Sequence, residues 1–142
     1  MSANPALSLY ALSAVALVFH LFILAGYTGY VRTKNKQWVN PEDAKLNKGE
    51  NTDVEHPDVA RTKRAHGNAL ENAVPFFVVG ALYAMTDPGH TGAVAYFGTF
   101  VGVRVLHSIF YLWGRQPFRT MMFAIGVLAC IGMGIHVIRH FA

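Results

Sequence analysis

Arg61-Thr62-Lys63-Arg64-Ala65-His66-Gly67-Asn68-Ala69-Leu70-Glu71-Asn72-Ala73-Val74-Pro75 runs directly into Phe76-Phe77-Val78-Val79-Gly80-Ala81-Leu82-Tyr83-Ala84-Met85-Thr86, where no side chain is charged. A helix over these residues is polar at one end and apolar at the other, the pattern of a segment that enters a bilayer from water. Ionisable groups at the mouth of such a span are costly to desolvate, so their density there points to a binding site.

Three more stretches lack charge altogether: Met1 to Val31, Pro88 to Val103, and Thr120 to Ile138. Since roughly 20 residues cross the hydrocarbon of a bilayer, the pattern predicts four transmembrane helices at about 5–33, 58–86, 90–113 and 117–140. The chain has 142 residues, 53% of them hydrophobic and 14% charged, which fits one domain solvated by lipid. The first span has no basic leader and is longer than the apolar core of a signal peptide, so it reads as a retained helix. Pro5 and Pro117 suit first-turn positions of the first and fourth helices.

Short links at 87–89 and 114–116 make successive helices antiparallel, giving an all-α, up-down-up-down four-helix bundle. The remaining connection, about 34–57, is polar and rich in turn formers, and reads as either a lid over a site or a plain linker. Lys and Arg concentrate around this connection and around Arg115 and Arg119. By the positive-inside rule both face the cytoplasm, with both termini opposite. The net charge of +4 follows from that topology; no basic soluble segment interleaved with aromatics is present to hold nucleic acid.

At helical spacing Arg61, Arg64, Asn68, Glu71 and Pro75 share one face, and Arg104, His107 and Tyr111 share another on the third helix. A structural Arg64–Glu71 pair explains the first stripe as well as a site does. The two stripes together, with Arg32, Arg119 and Asp43, carry an excess of positive charge that an anionic ligand would neutralise. Carboxylates for the arginines, an ammonium for Glu71, and polar groups for Asn68, His107 and Tyr111 describe a small zwitterionic peptide. Arg119, at a helix N-terminus beside Thr120, is suited to hold a thiolate. His20 and His136 read as core or interfacial groups, and Cys130 as packing. No metal-binding pattern appears in the spacing of His, Cys or acidic residues.

The motif Arg64-Ala65-His66-Gly67-Asn68-Ala69-Leu70-Glu71-Asn72 with Pro75-Phe76, preceded by Asn40-Pro41-Glu42-Asp43-Ala44, resembles the MAPEG superfamily of membrane proteins in eicosanoid and glutathione metabolism. The likeness runs from about residue 28 to 123. Within that superfamily the chain looks most like the microsomal glutathione transferase branch, with the prostaglandin E synthase branch close behind. The resemblance implies a homotrimer that binds glutathione between subunits on the cytoplasmic side of a bacterial inner membrane or endoplasmic reticulum membrane. Its implied contacts are Arg32, Arg64, His66, Asn68, Glu71, Arg104, His107, Tyr111, Arg119 and Thr120.

By the same resemblance Arg119 is the catalytic residue that activates the glutathione sulfur, with Asp43 a further candidate. The implied acceptor is a lipophilic electrophile or a lipid hydroperoxide. Gly67 and Phe123 stand where the prostaglandin branch has an arginine and a tyrosine, and Ala44 where the mammalian transferase has a cysteine. The alternatives are a glutathione-dependent isomerase and a non-catalytic lipid-binding member. A small transporter is disfavoured because Glu71 sits among arginines near an edge and not alone at midplane.

Overall fold

A computed structural model of the chain describes residues 4–142. Four long helices, α1 (Pro5–Asn35), α3 (Pro57–Met85), α4 (Gly89–Leu112) and α5 (Gln116–Phe141), form the bundle. Between the first two lie a two-residue strand β1 (Gln37–Trp38), a short helix α2 (Pro41–Leu46) and a second short strand β2 (Glu50–Asn51). The fold is therefore all-α apart from one small parallel bridge, Gln37 to Glu50 and Trp38 to Asn51.

Two of the four long helices, α1 and α3, start at a side-chain cap followed by proline. Asn4 caps α1, its side chain accepting from the Ala6 and Leu7 amides at 2.9 and 3.1 Å, and Pro5 follows where no N–H is needed. His56 accepts from the Asp58 amide ahead of α3, with Pro57 at its opening. The link into α5 turns at Gly114, whose φ of 70° lies in the left-handed region that a side chain disfavours.

Three of the four long helices, α1, α4 and α5, are long and apolar enough to cross a membrane. The fourth, α3, falls outside that group because its first half carries Arg61, Lys63, Arg64 and Glu71. Phe22, Ile23 and Leu12 of α1 are about two-thirds exposed, at 66, 68 and 70%, an apolar surface that lipid or another protein would cover and water would not. The protein is an integral membrane helical bundle.

The core lies away from the polar connection, around Phe76, Phe97, Phe100, Tyr83 and Met133. Phe76 stacks on Phe100 with ring centroids 4.4 Å apart and meets Phe97 edge-on at 5.8 Å. Tyr10 donates to the Phe77 carbonyl at 2.8 Å, and Asn4 donates to the Ala84 carbonyl at 3.0 Å, which tie the start of α1 to the end of α3. Small residues on α3 let these helices approach: a Cβ on Gly80 would lie 3.2 Å from the Tyr10 ring. The result is a rigid apolar half that holds the polar half of α3 and α4 at a set height.

The connection between α1 and α3 is built, not loose. Trp38 is 4% exposed; the Glu50 amide donates to the Lys36 carbonyl at 2.9 Å, and the Thr52 amide to the Trp38 carbonyl at 2.9 Å. Asn51 donates to the carbonyls of Trp38 and Val39, both at 3.0 Å. A Cβ on Gly49 would run into the Trp38 ring and come within 2.7 Å of the Lys36 carbonyl oxygen. Gly49→Ala is expected to cost about 1–3 kcal/mol of overpacking and to unseat Trp38. The readouts are a red shift in tryptophan emission and faster proteolysis within residues 36–56; an unchanged spectrum and cleavage rate would show that the tryptophan seat does not depend on Gly49.

Candidate functional site

The polar half of the bundle is organised by Arg104 in α4, which is 1% exposed. Its Nη2 donates to Asn68 Oδ1 of α3 at 2.7 Å, the length of a charge-assisted bond, and lies 3.4 Å from the Asn68 carbonyl. Among the described residues its Nε and Nη1 have no hydrogen-bond partner, and neither does Nδ1 of His107, one turn further along α4. Gly126 of α5 makes room, since a Cβ there would sit 3.4 Å from Arg104 Cδ. A buried guanidinium with free N–H groups is a costly arrangement that an acceptor nearby would relieve.

One turn along α4 the Ser108 hydroxyl lies 3.2 Å from the Arg104 carbonyl oxygen and 2.9 Å from Nε2 of His20 in α1. The hydroxyl has one proton, so which of the two partners receives it follows the tautomer of the imidazole. This link joins α1 to α4 behind Arg104. His20 is thus a half-buried packing partner of Ser108, not a member of an open site.

On the other side of α4 lies an open recess of about 210 Å³ lined by Asn68, His107, Tyr111, Arg119, Thr120 and Phe123. The Arg119 guanidinium carbon is 4.5 Å from the centre of the Tyr111 ring, a cation–π contact that holds the side chain over the recess. Arg119 lies in the first turn of α5, where unpaired backbone N–H groups add positive potential. The His107 ring is 5.8 Å from Tyr111 and 6.3 Å from Phe123 between ring centres, closing the inner wall. The recess is a cationic, half-apolar cup suited to an anion with an apolar neighbour.

A second recess, of about 310 Å³, sits under the connection and shares no lining residue with the first. Arg32 and Asp43 line it, together with Asn40, Glu55 and Lys63. Arg32 Nη2 pairs with Glu55 at 3.2 Å, Lys63 pairs with the same carboxylate at 3.1 Å, and Asn40 donates to Asp43 Oδ2 at 3.1 Å. Glu55 went unnoticed in the sequence because it lies in an aperiodic stretch with Glu50 and Asp53, and spacing does not single out one of three carboxylates.

Arg64 and Glu71 are exposed on α3, and His66 is half-buried. Neither Arg64 nor Glu71 has an ion-pair partner among the described residues, so the structural Arg64–Glu71 pair is not formed. The candidate residues thus occupy three places in one copy of the chain: Asn68, Arg104, His107, Tyr111, Arg119 and Thr120 together; Arg32 and Asp43 together; and Arg64, His66 and Glu71 along α3. Pro75 interrupts α3 one turn beyond Glu71, and because proline has no N–H the Glu71 carbonyl lacks its helical partner.

The MAPEG family model matches residues 10–139. Human prostaglandin E synthase is 34% identical over 136 residues, covering 95% of this chain and 90% of that protein. Microsomal glutathione S-transferase 1 of Rattus norvegicus is 36% identical over 144 residues, covering 96% and 91%. The human microsomal glutathione S-transferase 1 is 34% identical over 131 residues, covering 89% and 84%.

Replacing Asn68 by Ala removes the one side-chain acceptor of a buried guanidinium. The expected loss is about 2–3 kcal/mol, read as a lowered unfolding midpoint in detergent, whereas Glu71→Ala, one turn away on α3 and exposed, is expected to change it little. Equal effects at the two positions would mean that the bond between Asn68 and Arg104 contributes nothing particular.

Proposed function

The chain belongs to the MAPEG family, and on that premise we propose that it is a membrane-bound glutathione transferase acting on lipophilic electrophiles. The observation that carries the proposal is the cup in which Arg119, stacked on Tyr111 at a helix N-terminus, faces His107 and Asn68. A thiol placed against Arg119 would ionise more readily, because the guanidinium stays protonated and the helix end adds positive potential. Thr120 supplies a further hydrogen-bond donor beside it.

In this reading the thiol proton leaves to solvent and the thiolate attacks the electrophilic carbon. A carbon–sulfur bond forms as the bond to the leaving group breaks. The acceptor arrives from the bilayer, which concentrates apolar molecules next to the apolar rim at Phe123. With a lipid hydroperoxide the same thiolate would attack the terminal oxygen: the O–O bond breaks, the lipid alcohol leaves with a proton from solvent, and the glutathione sulfenic acid formed is converted by a second glutathione to the disulfide and water.

The tripeptide's carboxylates match arginines and its ammonium matches a carboxylate. Arg104 has two unpartnered donors next to Asn68, and His107 has one unpartnered ring nitrogen, so the inner wall has bonding capacity to spare. Arg32, Arg64, His66, Glu71 and Asp43 lie outside the cup in the same chain. We assign them to the cup of a neighbouring subunit in a homotrimer, with glutathione bridging two copies on the cytoplasmic side. The exposed α3 face carrying Arg64 and Glu71 supports that assembly, since neither residue finds an ion-pair partner among the described residues of its own chain.

The second reading is an isomerase that uses glutathione without consuming it, favoured by the likeness to prostaglandin E synthases. Product analysis separates the two, because conjugation consumes glutathione and isomerisation does not.

Glutathione bound to the purified protein is expected to show thiolate absorbance in the ultraviolet, together with conjugation of an activated aryl halide. Arg119→Ala should abolish the absorbance and lower kcat/KM by about 10²–10³, the usual effect of removing one donor aimed at developing negative charge. Glutathione binding without thiolate and without conjugate would overturn the transferase reading.

A further inference from the structure

A third recess, of about 140 Å³, lies between the end of α1 and the start of α3, apart from both recesses described above. Tyr27, Tyr30, Lys34 and Asn35 line it from α1, and Asp58 and Arg61 from α3. Leu112, the last residue of α4, closes it from the side toward the bundle. None of these residues has a part in the proposed chemistry.

Its depth in the membrane follows from where the apolar runs end. The uncharged stretch of α1 ends at Val31, one turn before Lys34, and α4 ends at Leu112. Tyr27, Tyr30 and Trp113 are 42, 60 and 70% exposed at this level, and Tyr27 and Tyr30 stack with ring centres 6.1 Å apart. Exposed aromatics at the ends of apolar helices mark the headgroup region of a bilayer. The recess therefore opens where phosphates lie, on the side of the polar connection.

Its cations outnumber its carboxylates, Lys34 and Arg61 against Asp58. Lys34 and Arg61 are both exposed, and no carboxylate lies within ion-pairing reach of either among the described residues. Asp58, on the same wall, faces His56 at 3.9 Å. Gly114 keeps the α4–α5 link clear of the arginine, as a Cβ there would lie 3.0 Å from Arg61 Nη1. Two free cations beside two acceptors, Asp58 and Asn35, match a ligand with a phosphate and adjacent hydroxyl donors. Neighbouring apolar and aromatic surface suits the attached chains.

The geometry points to a headgroup site for an anionic glycerophospholipid of the phosphatidylglycerol type, with Lys34 and Arg61 on the phosphate and Asp58 and Asn35 accepting from the glycerol hydroxyls. A choline headgroup has the phosphate but no donor for Asp58, so the site discriminates between the two. The site tethers α1 to α3 at the edge where the structured connection begins, and it does not depend on glutathione chemistry.

The test is native mass spectrometry of the delipidated full-length protein in detergent, titrated with dioleoyl phosphatidylglycerol or dioleoyl phosphatidylcholine. One phosphatidylglycerol per chain is expected to bind more tightly than phosphatidylcholine. K34Q/R61Q should weaken it by about thirtyfold, the effect of removing two interfacial cations. K45Q/K48Q, the same change of charge within the connection, should leave it unchanged. K34R/R61K keeps both cations and should retain binding, which distinguishes loss of charge from misfolding; if the double Gln variant does not fold, K34Q and R61Q singly should each give part of the loss. Equal affinity for the two lipids, or equal loss in K34Q/R61Q and K45Q/K48Q, would overturn the site. Displacement of the lipid by glycerol 3-phosphate at comparable concentration would overturn the lipid assignment in favour of a free phosphate.

Discussion

The packing of α3 against α4 in the polar half of the bundle turns on one buried charge. Arg104 sits 1% exposed within the helices, held by a 2.7 Å bond to Asn68, with Gly126 leaving space on α5. A guanidinium cannot give up its proton in a protein, so the membrane environment cannot be satisfied by neutralising it. It must be bonded, and Asn68 meets only part of that need: Nε and Nη1 have no partner among the described residues. Asn68 fixes α3 to α4, and Ser108, which bonds the backbone carbonyl of Arg104, meets His20 and fixes α4 to α1 independently of the guanidinium. With its own neighbours placed, α4 then presents His107 and Tyr111 to the recess at defined heights.

The apolar half supplies the rigidity this requires. The stack of Phe76 on Phe100 and the bond from Tyr10 to the Phe77 carbonyl lock α1, α3 and α4 together above the polar layer. A helix pair fixed at one end cannot slide at the other without breaking close-packed aromatic contacts. The cost of a charged layer is therefore borne by a dry one in the same helices. In α3 the two halves meet near Pro75, where the Glu71 carbonyl has no helical partner.

The helices were legible in the sequence because their cause is local. A run such as Thr120 to Ile138, with no charge over the width of a bilayer, has few alternatives to a spanning helix, and Pro5 and Pro117 mark starts because a first-turn residue needs no N–H. The polar stripes were legible for the same reason: spacings of three and four place Arg104, His107 and Tyr111 on one face of any helix. The connection was not. Its seat for Trp38 depends on Gly49 and on a bridge across a gap of more than ten residues, and nothing periodic announces either. The Arg32–Glu55 pair was hidden likewise, since any of three carboxylates in that stretch has the reach.

By itself, then, the sequence determined that this protein is an all-α bundle in a membrane, which residues lie on which helix face, and, through the motif from Arg64 to Asn72, the family to which it belongs. Only the tertiary structure decided how those faces are shared out. It turned Arg104 inward onto Asn68, stacked Arg119 on Tyr111, gave Arg32 to Glu55, and left Arg64 and Glu71 on an outer face without partners. The reason is physical. Helical periodicity sets the direction of a side chain relative to its own axis, but whether that direction meets another helix, a recess or the outside depends on the rotation of one helix against the next. That rotation is set by the packing of rings and glycines far along the chain.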